Sequence, residues 1–424
     1  MAKIKFEKKS GKLAWCAWTA AVLFYLYEYL VRVAPSVMEH EMATEFAASA
    51  TIMATALGSY YFAYSPLQLF AGMLFDRFGG KVVLVPASIL VSIGCIFSTI
   101  HSTSVAYVAI GRTLAGVGSS CAFIGTMYLA AVWFHDNRLA FLSGLTTSLG
   151  ICGALLAQAP LSFLVDGTGW RMSLIVLAVI GIFVTTIVAV CVPKTPRWEQ
   201  EKRATDFGGS SFKHFLAGLI SVCKNKQTWI VGLVASCLYM PTVVFGDLWG
   251  VPYIHHSLGI SKTRATEIVG MLYLGWLVGG PLAGLLSDMI GCRKKLLVAG
   301  TFTSTVLFLA VLLCPIKSPF IIGALLFLAG VASTPQVICF VASLEANKAS
   351  VKGSAIAVVN MIVMLVGGVF QPIIGWLMER GGRVEVGHVV SCEAFRNALL
   401  TMPLLTFIGF CLSFFIKKGI SVRE

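Results

Sequence analysis

Glu28 and Arg32 stand four residues apart inside the apolar stretch from Leu13 to Ala34, and Arg112 and Asp247 lie in similar apolar surroundings. Residues i and i+4 share one helix face, so Glu28 and Arg32 can neutralise each other. Charged side chains are expensive in an apolar segment, which marks all four as candidates for binding a solute or relaying a proton. An arginine can receive a carboxylate and a carboxylate can receive an ammonium group, so the expected ligand is a zwitterion. Glu28 leads as proton carrier, because an apolar setting and a neighbouring arginine act on it in opposite senses. Tyr25, Tyr29, Tyr60, Tyr64, Gln68, Tyr239, Trp249, Gln336 and Asn360 add hydroxyl, indole and amide groups to the same segments. The competing reading is a closed network of Glu28, Arg32 and Arg112 that only supports the fold, with the tyrosines packed or interfacial.

The segments that must position these residues are membrane helices. Hydrophobic residues make up 57% of the 424-residue chain and charged ones 12%, with mean hydropathy +0.86, against about 25% charged in soluble domains. Apolar runs predict twelve transmembrane helices in an all-α membrane protein: 13–34, 51–75, 82–100, 105–133, 140–164, 172–192, 228–254, 265–287, 296–314, 320–344, 354–378 and 398–416. On these bounds Glu28 and Arg112 sit about 9 and 10 Å inside their helices, at one level, at 1.5 Å per residue. Gly72, Asp76 and Gly79 recur 212 residues later as Gly284, Asp288 and Gly291, and the same offset carries Gly58 to Gly270, Tyr61 to Tyr273 and Lys81 to Arg293. Such a register predicts two pseudo-symmetric six-helix halves, with a solute site where they meet. The halves are expected at 1–192 and 228–424, joined by a mixed-charge, Gly/Ser-rich linker, 193–227, that is mobile or amphipathic.

The net charge of +13 is sorted by side rather than gathered for nucleic acid. Lys3, Lys5, Lys8, Lys9 and Lys12 precede the first helix and Glu39, Glu41 and Glu45 follow it, which predicts that both termini are cytoplasmic. Lys262, Arg264, Arg380, Arg383 and Arg396 are exceptions on the opposite side. The first helix is expected to stay uncleaved. Twelve cysteines without a CxxC pair or Cys/His cluster read as packing thiols, with Cys392 facing the outer loop 379–397. His255 and His256 are expected in a surface turn. No nucleophile–base set, phosphate loop or metal cluster is found, so no enzyme, metal or cofactor is expected.

Gly72-Met-Leu-Phe-Asp76-Arg77-Phe-Gly79-Gly80-Lys81 falls where the second helix turns back into the third. Gly72 is expected to admit a neighbouring helix closely and Gly79 and Gly80 to make the reversal. This segment resembles the signature loop of the major facilitator superfamily, and the partial second copy at Gly284, Asp288, Gly291 and Arg293 extends the resemblance over the whole chain. The resemblance implies that Asp76 helps latch the cytoplasmic face, with Arg77 and Lys81 at the surface and Arg138 in the next cytoplasmic loop as partner. Met289 replaces the arginine of the second copy, implying a weaker latch there. Gly111-Arg112-Thr-Leu-Ala-Gly116-Val-Gly118 resembles a second family signature, whose arginine is linked to proton coupling or substrate. Ser148 to Pro160 lacks the Gly-Pro motif of drug/proton antiporters in the family.

The family fold lines its cavity with helices one, four, seven and ten, which carry Glu28, Arg32, Arg112, Asp247 and Gln336. Pro241, Gly246, Gly250, Pro252 and Pro335 are expected to bend two of these helices. Tyr25 to Met38 and Gly246 to Pro252 resemble the bacterial branch that includes the phagosomal nutrient transporters, whose members import amino acids and nucleosides. The resemblance implies a monomeric secondary transporter of a bacterial inner membrane, taking up an amino acid or similar small nutrient with protons by alternating access. Alternatives are a nucleoside, siderophore or organic-anion carrier, metabolite or drug efflux, a uniporter and a non-transporting sensor.

Overall fold

The computed structural model describes residues 11–100, 104–134, 138–194, 211–290, 292–348, 351–381 and 391–417. Helix α1 (Lys12–Val33) gives way to α2 (Pro35–Glu45) at a proline, which has no N–H to continue the helical ladder. The second and third crossings are α3 (Ala50–Phe78) and α4 (Gly80–Ser98), joined through Gly79 at φ 82°. The fourth crossing is α5 (Ala106–Ser119) followed by α6 (Ala122–Trp133). The fifth and sixth are α7 (Leu139–Leu156) and α8 (Ala159–Cys191), and α8 folds back at Gly169, φ 81°.

After α9 (Ser211–Lys224), the seventh crossing comprises α10 (Lys226–Met240), a π segment (Pro241–Trp249) and α11 (Gly250–Leu258). Then come α12 (Lys262–Ile290), α13 (Arg293–Leu313), α14 (Pro319–Ser333) with α15 (Gln336–Ala346), and α16 (Lys352–Gly381). The last crossing is α17 (Cys392–Leu399) with α18 (Thr401–Ser413). Among the described residues ten stretches are long and apolar enough to span a bilayer, and one of them, Leu142–Cys191, is 50 residues long and holds two crossings. Tyrosines, Ser65 and Gln68 make α3 too polar to qualify by composition alone, yet it completes the twelve. The chain is a multi-pass, all-α membrane protein.

Two expectations, on the outer loop and on His255 and His256, need correcting. Helix α9 occupies part of the linker and packs Leu219 and Val222 on Ala355, Val358 and Ile362 of α16, the amphipathic option; residues 195–210 lie outside the described set. The outer loop is shorter than 379–397, because α16 runs to Gly381 and α17 starts at Cys392. His255 and His256 occupy the last turn of α11 rather than a turn between helices. Cys392 is exposed, as are Cys16, Cys223, Cys314 and Cys411, and all twelve cysteines are free.

The halves meet most extensively along α3 and α16, and again where α12 meets α7 and α8. At the end where α2, the Gly169 bend and α11 come together, here termed the hairpin end, polar ties cross this seam. Lys262 Nζ stands 2.6 Å from Glu41 Oε1 and 3.6 Å from Asp166 Oδ1. Thr263 donates to Asp166 at 2.8 Å, and the Thr51 N–H, in the first turn of α3, donates to Glu379 of α16 at 2.7 Å. Among the described residues no polar tie between the halves lies nearer the opposite, linker end than Gln68 with Asn360. The hairpin end is therefore closed by ties that a conformational change can break. Lys262→Gln should lengthen the distance between spin labels at positions 40 and 256, whose histidine rings stand 6.3 Å apart; an unchanged distribution would show that Lys262 does not hold this end.

Glu39 lies on α2 beyond the first spanning segment, buried, and desolvation holds its carboxyl up at about 7 against an ordinary 4.5. Below about pH 4.5 the group is neutral folded or unfolded and costs nothing; as pH rises to 7 the unfolded chain gains ionisation that the folded one resists. The folded state thus loses stability through that window, on the order of 3 kcal/mol in all. The melting temperature should fall from pH 5 to 7.5, and Glu39→Gln should flatten that slope.

Candidate functional site

Tyr25, Glu28, Tyr29 and Arg32 follow one another at helical spacing on α1, and all four are buried. Arg32 Nη2 lies 2.9 Å from Glu28 Oε1, and Tyr60 of α3 donates to the same oxygen at 2.5 Å. The Arg32 guanidinium sits 3.7 Å over the Tyr29 ring and 5.6 Å from that of Tyr64. Among the described residues its Nη1 meets only the Met364 sulfur, at 3.8 Å, and its Nε has no hydrogen-bond partner. Arg32 is thus paired on one side and under-used on the other.

Arg112 is satisfied differently. Its Nη1 donates to the Val31 carbonyl at 2.8 Å, Nη2 to the Arg32 carbonyl at 3.2 Å and Nε to the Leu57 carbonyl at 3.3 Å. The first of these has its origin in the sequence: the helical donor to Val31 would be the N–H of residue 35, which is proline and has none. Arg112 caps the break in α1 while stacking 4.6 Å from the Tyr60 ring. It reaches there because α5 lies against α3, where a Cβ at Gly116 would collide with the Tyr60 carbonyl. All three guanidinium nitrogens are engaged by backbone, which leaves Arg112 one further N–H on each Nη and no unengaged nitrogen.

Asp247 lies in the π segment. Tyr61 of the first half donates to its Oδ2 at 2.5 Å and Tyr273 of the second to its Oδ1 at 2.6 Å. No cation is bonded to it among the described residues. A π segment carries one extra residue per turn, which rotates the rest of the helix by about 100°, and is a recurrent feature of functional sites. Carbonyls within it accept from other elements: Val243 from Gln371 of α16 at 2.7 Å, and Gly246 from Gln158, in the turn between α7 and α8, at 3.4 Å. Tyr29 and Tyr239 bond hydroxyl to hydroxyl across the seam at 3.1 Å.

The structure therefore gathers Tyr25, Glu28, Arg32, Arg112, Tyr60, Tyr64, Tyr239 and Asp247 into one buried region. Gln68 and Asn360 bond each other across the seam, nearer the linker end. Trp249 is turned to the Gln371 carbonyl at 3.1 Å, and Gln336 is buried at the start of α15 with no bond to the cluster. Sequence reasoning missed Tyr61, Tyr273, Gln158, Met364 and Gln371 as site residues. The signal for the first two was available: they are repeat equivalents, 212 residues apart, and they hold one carboxylate from its two sides.

At the linker end, the side chains of Asp76 and Asp288 and all of Gly291 lie outside the described residues, so the expected Asp76–Arg138 latch is not described; Arg138 and Arg77 are exposed. Arg293 pairs with Glu345 at 2.7 Å, within the second half. Gly72 corrects an expectation, because a Cβ there would meet nothing within 4 Å, and the same holds for Gly284. Among the described residues no helix approaches them closely.

Twelve crossings in two like halves, with two acids and two arginines buried around the seam, define a membrane carrier. Residues 17–372 match the Major Facilitator Superfamily, and the chain belongs to that family of transporters. It is 21% identical over 413 residues to a probable sulfoacetate transporter of Cupriavidus necator, covering 90% of this chain and 93% of that one. A cis,cis-muconate transport protein of Acinetobacter baylyi is 23% identical over 386 residues, with 89% and 92% covered. A solved bacterial homologue of the human lysosomal transporter Spinster shares the fold, with TM-score 0.76 at 15% identity over 96% of this chain and 98% of that one.

Removing the Arg112 guanidinium strands the Val31 carbonyl, whose helical donor Pro35 lacks, and takes a donor from the carbonyls of Arg32 and Leu57. Arg112→Met should destabilise the purified protein by about 3 kcal/mol or more. Pro35→Ala restores a donor to Val31, so the double variant should lose less than the sum, with a coupling of about 1 kcal/mol. Strict additivity in chemical unfolding would refute the capping role.

Proposed function

We propose that this protein takes up a small amino acid, or a similar small nutrient bearing a carboxylate, together with protons, by alternating access of its two halves. The observation that carries this reading is the pair of receptors not spent on each other. The free edge of Arg32 suits a carboxylate, and Asp247, bonded only to phenols, suits an ammonium group. Coupling arises from competition. A carboxylate that binds Arg32 draws it from Glu28, and a buried carboxylate stripped of its cation neutralises by taking a proton. Tyr60 remains to hold the protonated Glu28, and solute and proton then move together. Breaking the ties of Lys262, Asp166 and Glu379 would open the hairpin end, read as the outer face, with the linker end cytoplasmic.

The second reading is an organic dianion, favoured by the names of two relatives, the probable sulfoacetate transporter and the muconate transport protein. In that case Asp247 would enter the site protonated, since a second anion beside it is otherwise repelled.

Reconstituted protein with an imposed proton gradient separates the two. Uptake of a labelled amino acid, driven by the gradient and lost in Asp247→Asn, supports the zwitterion reading; gradient-driven uptake of dicarboxylates alone, retained in Asp247→Asn, supports the dianion. In either case Glu28→Gln should abolish gradient-driven accumulation while counterflow exchange persists. Accumulation unchanged in Glu28→Gln would remove Glu28 from coupling.

A further inference from the structure

Away from the seam, the linker ends of α13 and α18 leave a groove of about 560 Å³ between them. Its wall is aromatic. Phe302 and Phe410 stand 5.5 Å apart by ring centroid and Phe410 and Phe414 5.1 Å, and Phe302 and Phe414 are each about half exposed. Its rim is basic and carries Lys294 and Lys295 beside Cys292. The neighbouring Arg293 is spent on Glu345 at 2.7 Å. Among the described residues no acid pairs with Lys294 or Lys295. Lys294 Nζ donates to the Phe414 carbonyl and keeps two further N–H groups. The first turn of α13 has neither an acidic residue nor a side-chain cap from Cys292, so its amides add to the positive end.

The two features sit at the depths of one lipid molecule. From Lys295 to Phe302 the helix rises about 10 Å, within the roughly 15 Å of hydrocarbon in one leaflet. The basic rim is then at headgroup level and the phenylalanine wall beside an acyl chain. We propose that this groove is a binding site for an anionic phospholipid, with the phosphate on Lys294 and Lys295 and one chain along Phe302, Phe410 and Phe414. A zwitterionic lipid would bring its ammonium group against the same lysines and gain less. A free phosphate would use the rim and leave the aromatic wall bare.

Native mass spectrometry of the full-length protein in detergent tests this, using phosphatidylglycerol, phosphatidylcholine and inorganic phosphate as probes. Phosphatidylglycerol should bind in preference to phosphatidylcholine, weaken roughly thirtyfold in the Lys294→Gln/Lys295→Gln double variant, and resist displacement by phosphate. Lys295→Gln alone, at an exposed rim position, should give a several-fold loss, and it keeps the test valid where the double variant fails to fold. Phe302→Ala should weaken the lipid without creating any phosphate binding. Equal affinity for the two lipids, unchanged binding in both lysine variants, or displacement by inorganic phosphate would each overturn the proposal.

Discussion

Inside a bilayer no water is at hand to answer a broken backbone bond or a lone charge, and the first half is organised around one answer to both. Pro35 leaves the Val31 carbonyl without its helical donor, and Arg112 supplies three donors to Val31, Arg32 and Leu57. The arginine gains partners that desolvation would otherwise deny it, and the break in α1 becomes tolerable. The same bonds set α1, α3 and α5 against one another. Glu28, Arg32, Tyr60 and Tyr61 are then held at one level, and that level is where the second half arrives with Asp247.

The two arginines divide their labour accordingly. Arg112 has its donors on main-chain oxygens, which neither titrate nor leave, so it behaves as structure. Arg32 has one side-chain partner, Glu28, one thioether and an idle Nε. A side chain bonded to another side chain can exchange partners; one bonded to backbone carbonyls has much more to lose. Exchange of partners is therefore easier for Arg32, Glu28 and Asp247 than for Arg112, to which the signature resemblance directs attention.

Much of the architecture was legible because membrane helices announce themselves by length and apolarity, and the 212-residue offset exposed the doubling. The charges at 28, 32, 112 and 247 were legible for the same reason, since each interrupts an otherwise apolar run. Partners were not. Nothing local marks Arg112 as a carbonyl cap until α1 and α5 are seen to touch, although Pro35 states that a carbonyl needs one. The π segment was invisible because Pro241 and Gly246 predict a bend without its kind. Gly72 was misjudged from composition: a small residue permits a close neighbour but does not supply one, whereas Gly116 does sit under the Tyr60 backbone.

Tyr61 and Tyr273 connect the doubling to the chemistry. Each is buried, each donates to one oxygen of Asp247, and one comes from each half. A carboxylate held this way belongs to the seam rather than to either half. Parting the halves must cost Asp247 a phenol, Tyr29 its bond to Tyr239, and Arg32 its contact with Met364. Whatever replaces those partners must carry the opposite character: a cationic or hydroxyl group for Asp247, an anionic one for Arg32. A ligand that supplies both compensates for the broken ties in the same step that it binds, and a seam of this composition can thereby couple occupancy to the motion of the halves.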